Sequence, residues 1–375
     1  MKQKVKLDFK KLDFIIIITM TILIGIGMYC GRQAFMLSED MESIFMKQIA
    51  GVILGYICII TIILIDYHFI SKLSFLLYIA MNVMLVLTLV IGSNINNVKR
   101  WINIFGIPFQ PSELTKVVLV LFLASLCNSL RNKLNKLYVV FILMAVVAIP
   151  MILIMKEPHL SSALAILFVF CIMVYCSGIP YKVIGAALAL FLPVVVGLIV
   201  AVAVFNVKLP FIENYHVRRV LSFVSDEEGD DLEGDFQQNQ SIGAIASGGL
   251  QGKRLFSEGN DKNYIDIYAK ESDFVFTIIG EEFGFIGSFI LLLLYAVLVI
   301  RCLITSYRAR DYIGKMISMG ISAYFMFQIF VNIGVATKLL PNTGLPLPFI
   351  SNGLTSLISS MIAVGLVLNI GMRQA

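Results

Sequence analysis

The sequence predicts an all-α integral membrane protein of about ten transmembrane helices, with a large extracytoplasmic loop between helices seven and eight. Three observations lead there. The 375 residues are 59% hydrophobic and only 14% charged, with a mean hydropathy of +0.90, so the apolar surface exceeds what a soluble interior of this size can hide. Apolar runs of about 20 residues, the length a helix needs to cross a bilayer, recur along the chain. Lysines and arginines gather at alternate connections between those runs, as they do where positive charge stays on the cytoplasmic side.

The runs begin near Phe14, Met46, Ser71, Thr115, Leu137, Leu160, Val183, Phe274, Met316 and Leu354, and together they make residues 1–375 a single polytopic membrane domain. An even number of spans puts both termini on one side. That side carries Lys2, Lys4, Lys6, Lys10 and Lys11, then Arg131, Lys133 and Lys136 between spans four and five, then Arg301, Arg308, Arg310 and Lys315 between eight and nine. The expected placement is a bacterial plasma membrane with both termini cytoplasmic. The first run lacks a small-residue cleavage signature and reads as a retained span.

The opposite face then receives the connection from Gly92 to Glu113, the KEPH turn after span five, a loop at about 206–272, and a proline-broken loop from Lys338 to Gly353. Binding and catalysis concentrate in polar loops held by a rigid scaffold. Within the long loop, Ser225 to Asp235 (SDEEGDDLEGD) holds seven acidic residues and almost nothing to bury, and it is expected to be mobile and solvated. The net charge of +5 is spread without a basic arm, which excludes a nucleic-acid footprint. The six cysteines sit in or beside apolar runs as small hydrophobic filler, and no spacing fits a metal site. No internal repeat of the transporter kind is evident.

Three segments on the outer face carry chemistry. In KRWINIFGIPFQPSELTK, Glu113 and Lys116 are three apart and share a helix face, which makes Lys116 either half of an ion pair or a cation aimed at phosphate. Trp101, the only tryptophan, is an interfacial anchor by default, with Arg100 beside it. In SDFVFTIIGEEFGFIG, Asp273 opens span eight and Asp273, Thr277, Glu281 and Gly284 follow one stripe. Asp273 at the mouth could take a proton from a sugar hydroxyl, whereas Glu281 and Glu282, deeper in, read as structural polar contacts. In QQNQSIGAIASGGLQGKR, the SGG amides with Lys253 and Arg254 would suit a pyrophosphate, or the glycines only permit close packing in a re-entrant or interfacial segment. His68 and His159 have no matched partner and are taken as structural.

Taken in order, RWI with QPSE and Lys116, PHLSSA, Tyr215 with Arg219, FQQNQS with AIASGG, SDFVF with GEEFGFIG, and NIGVATKLLPNTGLPLPFIS resemble the signature blocks of the SEDS family (shape, elongation, division and sporulation). The resemblance covers most of the chain. It implies a ten-span fold that polymerises lipid II into glycan strands and works with a class B penicillin-binding transpeptidase and other cell-wall synthesis machinery. It makes Asp273 catalytic. It also places Lys116, Arg219 and Lys253 at the departing pyrophosphate, and Trp101, Arg100, Glu113, Gln240 and Ser241 on the substrate side. A divalent cation, Mg or Mn, bridging Asp273 and pyrophosphate is carried as a hypothesis, with no dedicated metal ligands. His159 stands where the family has aspartate in PDLGTA, IYAKE replaces LPE, and SNGLTS lacks a glycine of SYGGS.

Two other classes fit the same cavity: a flippase that moves lipid-linked precursor without making a bond, and a non-catalytic scaffold for a transpeptidase. A carboxylate at the mouth of span eight has no use in a flippase, and Asp273, Lys116 and Arg219 together argue against a bare scaffold. Elongation, division and sporulation roles are left open.

Overall fold

The computed structural model describes residues 8–34, 41–95, 98–104, 107–187, 189–190, 232–253 and 273–373. Ten α-helices are labelled here within them: α1 Phe14–Ala34, α2 Met41–Leu64, α3 Tyr67–Ile91, α4 Pro111–Ser129, α5 Leu137–Lys156, α6 Leu160–Cys176, α7 Leu232–Gly248, α8 Val275–Arg308, α9 Tyr312–Ala336 and α10 Leu354–Met372. Among the described residues, eight helices are long and apolar enough to cross a membrane, and α6 is a shorter apolar helix. The expected seventh span starts in the helical stretch at 181–187, and its continuation lies outside the described residues.

The least hydrophobic spans occupy the centre. Helices α4 and α9, with mean hydropathy 1.4 and 1.5, are each 72% buried, whereas α3, at 2.4, is only 22% buried. Lipid excludes polar side chains, so helices carrying Glu113, Lys116, Gln328 and Asn332 must turn them toward other helices. Helix α10 joins this centre by packing on α2, α4 and α9, while α3 and α5 lie outside it.

Local signals explain the ends. Pro111 opens α4 at a position whose N–H would have no helical partner. Asp66 and Asp311 cap α3 and α9, accepting from the His68 and Gly314 backbone N–H groups at 2.9 and 3.2 Å. The same carboxylates hold the His68 ring between them, at 2.8 and 3.2 Å, so this histidine, which had no partner in the sequence, has two.

Two features add structure to the connections expected as loops on the outer face. Residues Ser93–Ile95 (β1), Val98–Ile104 (β2) and Ile107–Phe109 (β3) form a small antiparallel sheet in the order β1-β2-β3 between α3 and α4. And α7 lies inside the stretch expected to be a loop, so that Leu232 to Asp235 of the acidic segment form its first turn, while 225–231 lie outside the described residues.

Helix α7 is held by near backbone-to-backbone contact with α8. A Cβ on Gly248 would lie 2.0 Å from the Gly280 carbonyl oxygen, and one on Gly252 (φ +80°) 2.0 Å from that of Glu282. Opposite this contact, α8 breaks at Gly284 (φ 63°, ψ −158°). The broken turn would leave N–H groups unpaired in the interior, and Gly249 and Leu250 accept from Phe285 and Ile286 at 2.9 and 3.1 Å. The expected stripe from Asp273 to Gly284 is therefore interrupted at its last residue.

Both described ends of the chain meet. The Asp8 N–H donates to the Met372 carbonyl at 3.3 Å, which puts residues 8 and 372 at one end of the bundle. Arg131, Lys133, Arg301, Arg308, Arg310 and Lys315 lie at that same end, since they terminate α4 and α8 or flank the start of α9. The starts of α4, α6, α8 and α10, the end of α9 and the sheet make up the other end, which holds the candidate site.

Candidate functional site

Asp273 sits two residues ahead of α8 and is half-buried. The Asn332 side chain of α9 fixes its backbone, donating to the Asp273 carbonyl at 2.9 Å and to the Leu345 carbonyl at 2.7 Å. That single amide ties the mouth of α8 to the proline-broken loop after α9. The loop then comes over the carboxylate: a Cβ on Gly344 (φ +67°) would lie 3.0 Å from Asp273 Oδ2. Glycine is required there twice, for the left-handed backbone and for the close approach.

The loop is pinned from the other side by Ser161, whose hydroxyl donates to the Thr343 carbonyl at 2.5 Å. Next to it, His159 is buried, with Nδ1 at 3.4 Å from the Gln110 amide and 3.5 Å from the Ser112 hydroxyl, and Nε2 at 3.3 Å from Ser162. The histidine thus joins the starts of α4 and α6 beneath the loop. Below Ser112, Lys116 Nζ and Glu113 Oε1 form an ion pair at 2.7 Å, with 1% and 0% of the two side chains exposed. Gln328 Nε2 approaches the other Glu113 oxygen at 3.5 Å, and the Tyr324 ring centre lies 5.6 Å from Lys116 Nζ. Of the two readings the spacing left open, the structure has the closed pair. Lys116 and Glu113 do not face an open substrate surface in this conformation.

Other expected site residues are placed differently. Lys253, expected at the pyrophosphate, pairs with Glu281 at 2.5 Å. Glu281 lies six helical steps, about 9 Å of rise, beyond the start of α8 at Val275, so this pair belongs to a deeper layer than Asp273. Ser241 is fully buried, sharing a hydrogen bond with Thr277 and donating to the Ala336 carbonyl at 2.7 Å, so it joins α7 to α8 and α9. Gln238 does the same work, donating to Val335 and Leu340 at 2.9 and 2.8 Å, and Gln240 is half-exposed on α7. Of the SGG glycines, Gly248 packs on α8, and the Gly249 N–H is taken up by the Ala246 carbonyl at 3.2 Å. Glu282 is buried on α8, with Oε2 lacking a hydrogen-bond partner among the described residues. Arg219 and Arg254 lie outside the described residues.

Trp101 and Arg100 lie on β2, where Trp101 is half-buried and pairs with Ser93. Arg100 Nε donates to the Glu157 carbonyl at 3.0 Å and a second guanidinium nitrogen to Pro158, so it clamps the sheet onto the KEPH turn. Sequence reasoning missed three participants: Asn332, Glu157, and Lys338, whose ammonium reaches Asn239 at 2.9 Å at the outer end of α9. Only a polar residue inside an apolar run hinted at Asn332. Among the described residues, no three His, Cys, Asp or Glu side chains come together as a metal-ligand set.

Glu157 is fully buried, and neither carboxylate oxygen has a hydrogen-bond partner among the described residues. Burial pushes its pKa up from 4.5 to about 8, against the opposing pull of Arg100. Between those values the folded chain holds a proton that the unfolded chain has lost, so stability falls as pH rises through that window. Glu157→Gln is expected to remove that slope, raising the melting temperature relative to wild type at about pH 8 more than at about pH 5. Thermal melts of both proteins across this range check it, and parallel profiles would refute the assignment.

The FtsW/RodA/SpoVE family model, described as cell cycle protein, matches residues 11–375. The chain belongs to the FtsW/RodA/SpoVE family. It is 31% identical over 352 residues to a probable peptidoglycan glycosyltransferase FtsW of Trichlorobacter lovleyi, covering 92% of this chain and 89% of that protein. It is equally 31% identical to stage V sporulation protein E of Bacillus subtilis, across 96% of both chains. Its fold superposes, with a TM-score of 0.76 and 25% identity over 96% of this chain and 97% of the other, on a chain from a peptidoglycan synthase complex that coordinates polymerization and crosslinking. A family member of this architecture is a multi-pass membrane protein, in accord with the eight apolar helices.

Proposed function

We propose that this family member is a peptidoglycan glycosyltransferase that polymerises lipid II at the outer face of a bacterial plasma membrane, with its basic end cytoplasmic. The observation that carries the reading is Asp273: a half-buried carboxylate at the mouth of α8, held by Asn332 and covered by Gly344, at the end opposite the basic residues. The relatives' names supply the reaction class, and the chain from a synthase complex supports a penicillin-binding transpeptidase as partner.

In this reading Asp273 takes the proton from the acceptor sugar's 4-hydroxyl as that oxygen bonds to C1 of the donor sugar. The bond from C1 to the pyrophosphate oxygen breaks, and undecaprenyl pyrophosphate leaves with its electron pair. Developing negative charge there needs cations. Arg100 and Lys338 are among the described cations at that end, beside Lys99 and Lys156, and the family resemblance adds Arg219. Lys116 reaches phosphate only if its pair with Glu113 opens.

The test is polymerisation of purified lipid II by the detergent-solubilised full chain, with and without its transpeptidase partner. Glycan strands resolved by gel are the expected result. Transfer of lipid II across vesicles without any polymer would overturn the proposal in favour of a flippase.

A further inference from the structure

At the end of the bundle opposite Asp273, a cavity of about 310 Å³ opens between the start of α1 and the last turns of α8 and α10. Four cations line it, Lys10, Lys11, Arg301 and Arg308, with one carboxylate, Asp13. The carboxylate is already committed: Arg301 grips Asp13 Oδ2 through two nitrogens at 2.6 and 2.8 Å. Lys10, Lys11 and Arg308 line the same open-mouthed volume beside this pair.

The lysines are held in place by the fold. They ride on a single 3₁₀ turn, Phe9–Lys11, capped by the Asp8 side chain, which accepts from the Lys10 N–H at 3.1 Å. The turn is in turn fastened to α10 through Asp8 and Met372. The surroundings set the height of the cavity. Phe14 and Arg308 are the first and last residues of two spans, so the volume sits where those spans leave the hydrocarbon. Phe9, Phe14 and Tyr307 are exposed beside it, at 61%, 61% and 87%. Exposed aromatics at a span end lie among lipid headgroups.

We propose that this cavity binds the phosphate of an anionic phospholipid. Its cations line a space large enough for a headgroup, at the depth where phosphodiesters lie, with exposed apolar side chains nearby for the acyl chains. A free phosphate ion shares the charge but has no use for that rim. Under the orientation proposed above, the cytoplasmic leaflet supplies the lipid.

The experiment is native mass spectrometry of the full-length protein titrated with phosphatidylglycerol or phosphatidylcholine. It compares wild type with Lys10→Gln/Arg308→Gln and with Arg310→Gln/Lys315→Gln. The second pair removes the same charge at the same end but lines no part of this cavity. The expected result is retention of phosphatidylglycerol over phosphatidylcholine, weakened about thirtyfold by the first pair and little by the second. Equal losses from both pairs would reduce the site to general basic charge, and no loss from the first would overturn it. Displacement of the lipid by equimolar inorganic phosphate would also overturn it, in favour of a small-anion site. Melting temperatures of both variants are measured alongside, and lipid II polymerisation reports on the other end of the bundle, so failure here is distinguishable from failure of the proposed activity.

Discussion

Asp273→Asn is expected to lower glycan-strand synthesis from lipid II by a factor of about 10² to 10⁴, the span usually lost with a general base. The substitution keeps the side chain's shape and removes its capacity to accept a proton. The Asn332 bond goes to the Asp273 main-chain carbonyl, so the anchor at the mouth of α8 survives in the variant. Its melting temperature should accordingly stay close to that of wild type, and loss of activity in a folded protein is then a statement about proton transfer. The neighbouring glycine sharpens the test. Gly344→Ala would press a methyl group to about 3.0 Å from Asp273 Oδ2, at a backbone angle that L-residues rarely adopt. It should depress polymerisation by displacing the carboxylate, even though no titratable group has changed. Full activity in Asp273→Asn, measured by gel on purified lipid II, would remove Asp273 from the chemistry.

The transmembrane architecture is readable because lipid imposes one rule on every spanning segment, a long apolar run, and runs such as Phe14–Ala34 and Tyr67–Ile91 satisfy it without reference to their neighbours. Helix α7 is not readable on that rule. Its described buried residues are Gln238, Ser241, Ala244 and Gly248, and its stability comes from glycine-mediated contact with α8, which exists only once both are in place. The small sheet is hidden for a similar reason, since two of its three strands have three residues each.

The site divides along the same line. Asp273 and the Glu113–Lys116 pair stand out from local spacing, and the polar-to-apolar boundary at Asp273 is enough to put it at a helix mouth. Pairings across the chain cannot be seen locally: Lys253 with Glu281, His68 with Asp311, and Asn332 with the carbonyl of Asp273. In each case the sequence shows one polar residue, and the partner depends on which helices become neighbours. Lys253 reads as a phosphate cation for that reason, because a cation beside glycines is chemically indistinguishable from half of an ion pair until its counter-ion, here Glu281, is found.

Lys116→Met should destabilise the protein by about 3 to 5 kcal/mol, because it strands the Glu113 carboxylate, which is fully buried, without its charge partner. Gln328, at 3.5 Å, is too distant to replace an ammonium at 2.7 Å. Glu113→Gln/Lys116→Met should recover most of that loss, since replacing both members of a buried pair avoids the uncompensated charge. Melting temperatures of the three proteins in one detergent measure this, and a double variant as unstable as the single would refute the pairwise account. The same proteins decide what the pair does in turnover. If it only braces the bundle, polymerisation returns with stability in the double variant. If the pair opens so that Lys116 meets the pyrophosphate, the double variant folds yet stays inactive, because methionine offers no charge to the leaving group. A stable, inactive double variant would thus move Lys116 from the scaffold into the reaction, which the closed geometry by itself does not require.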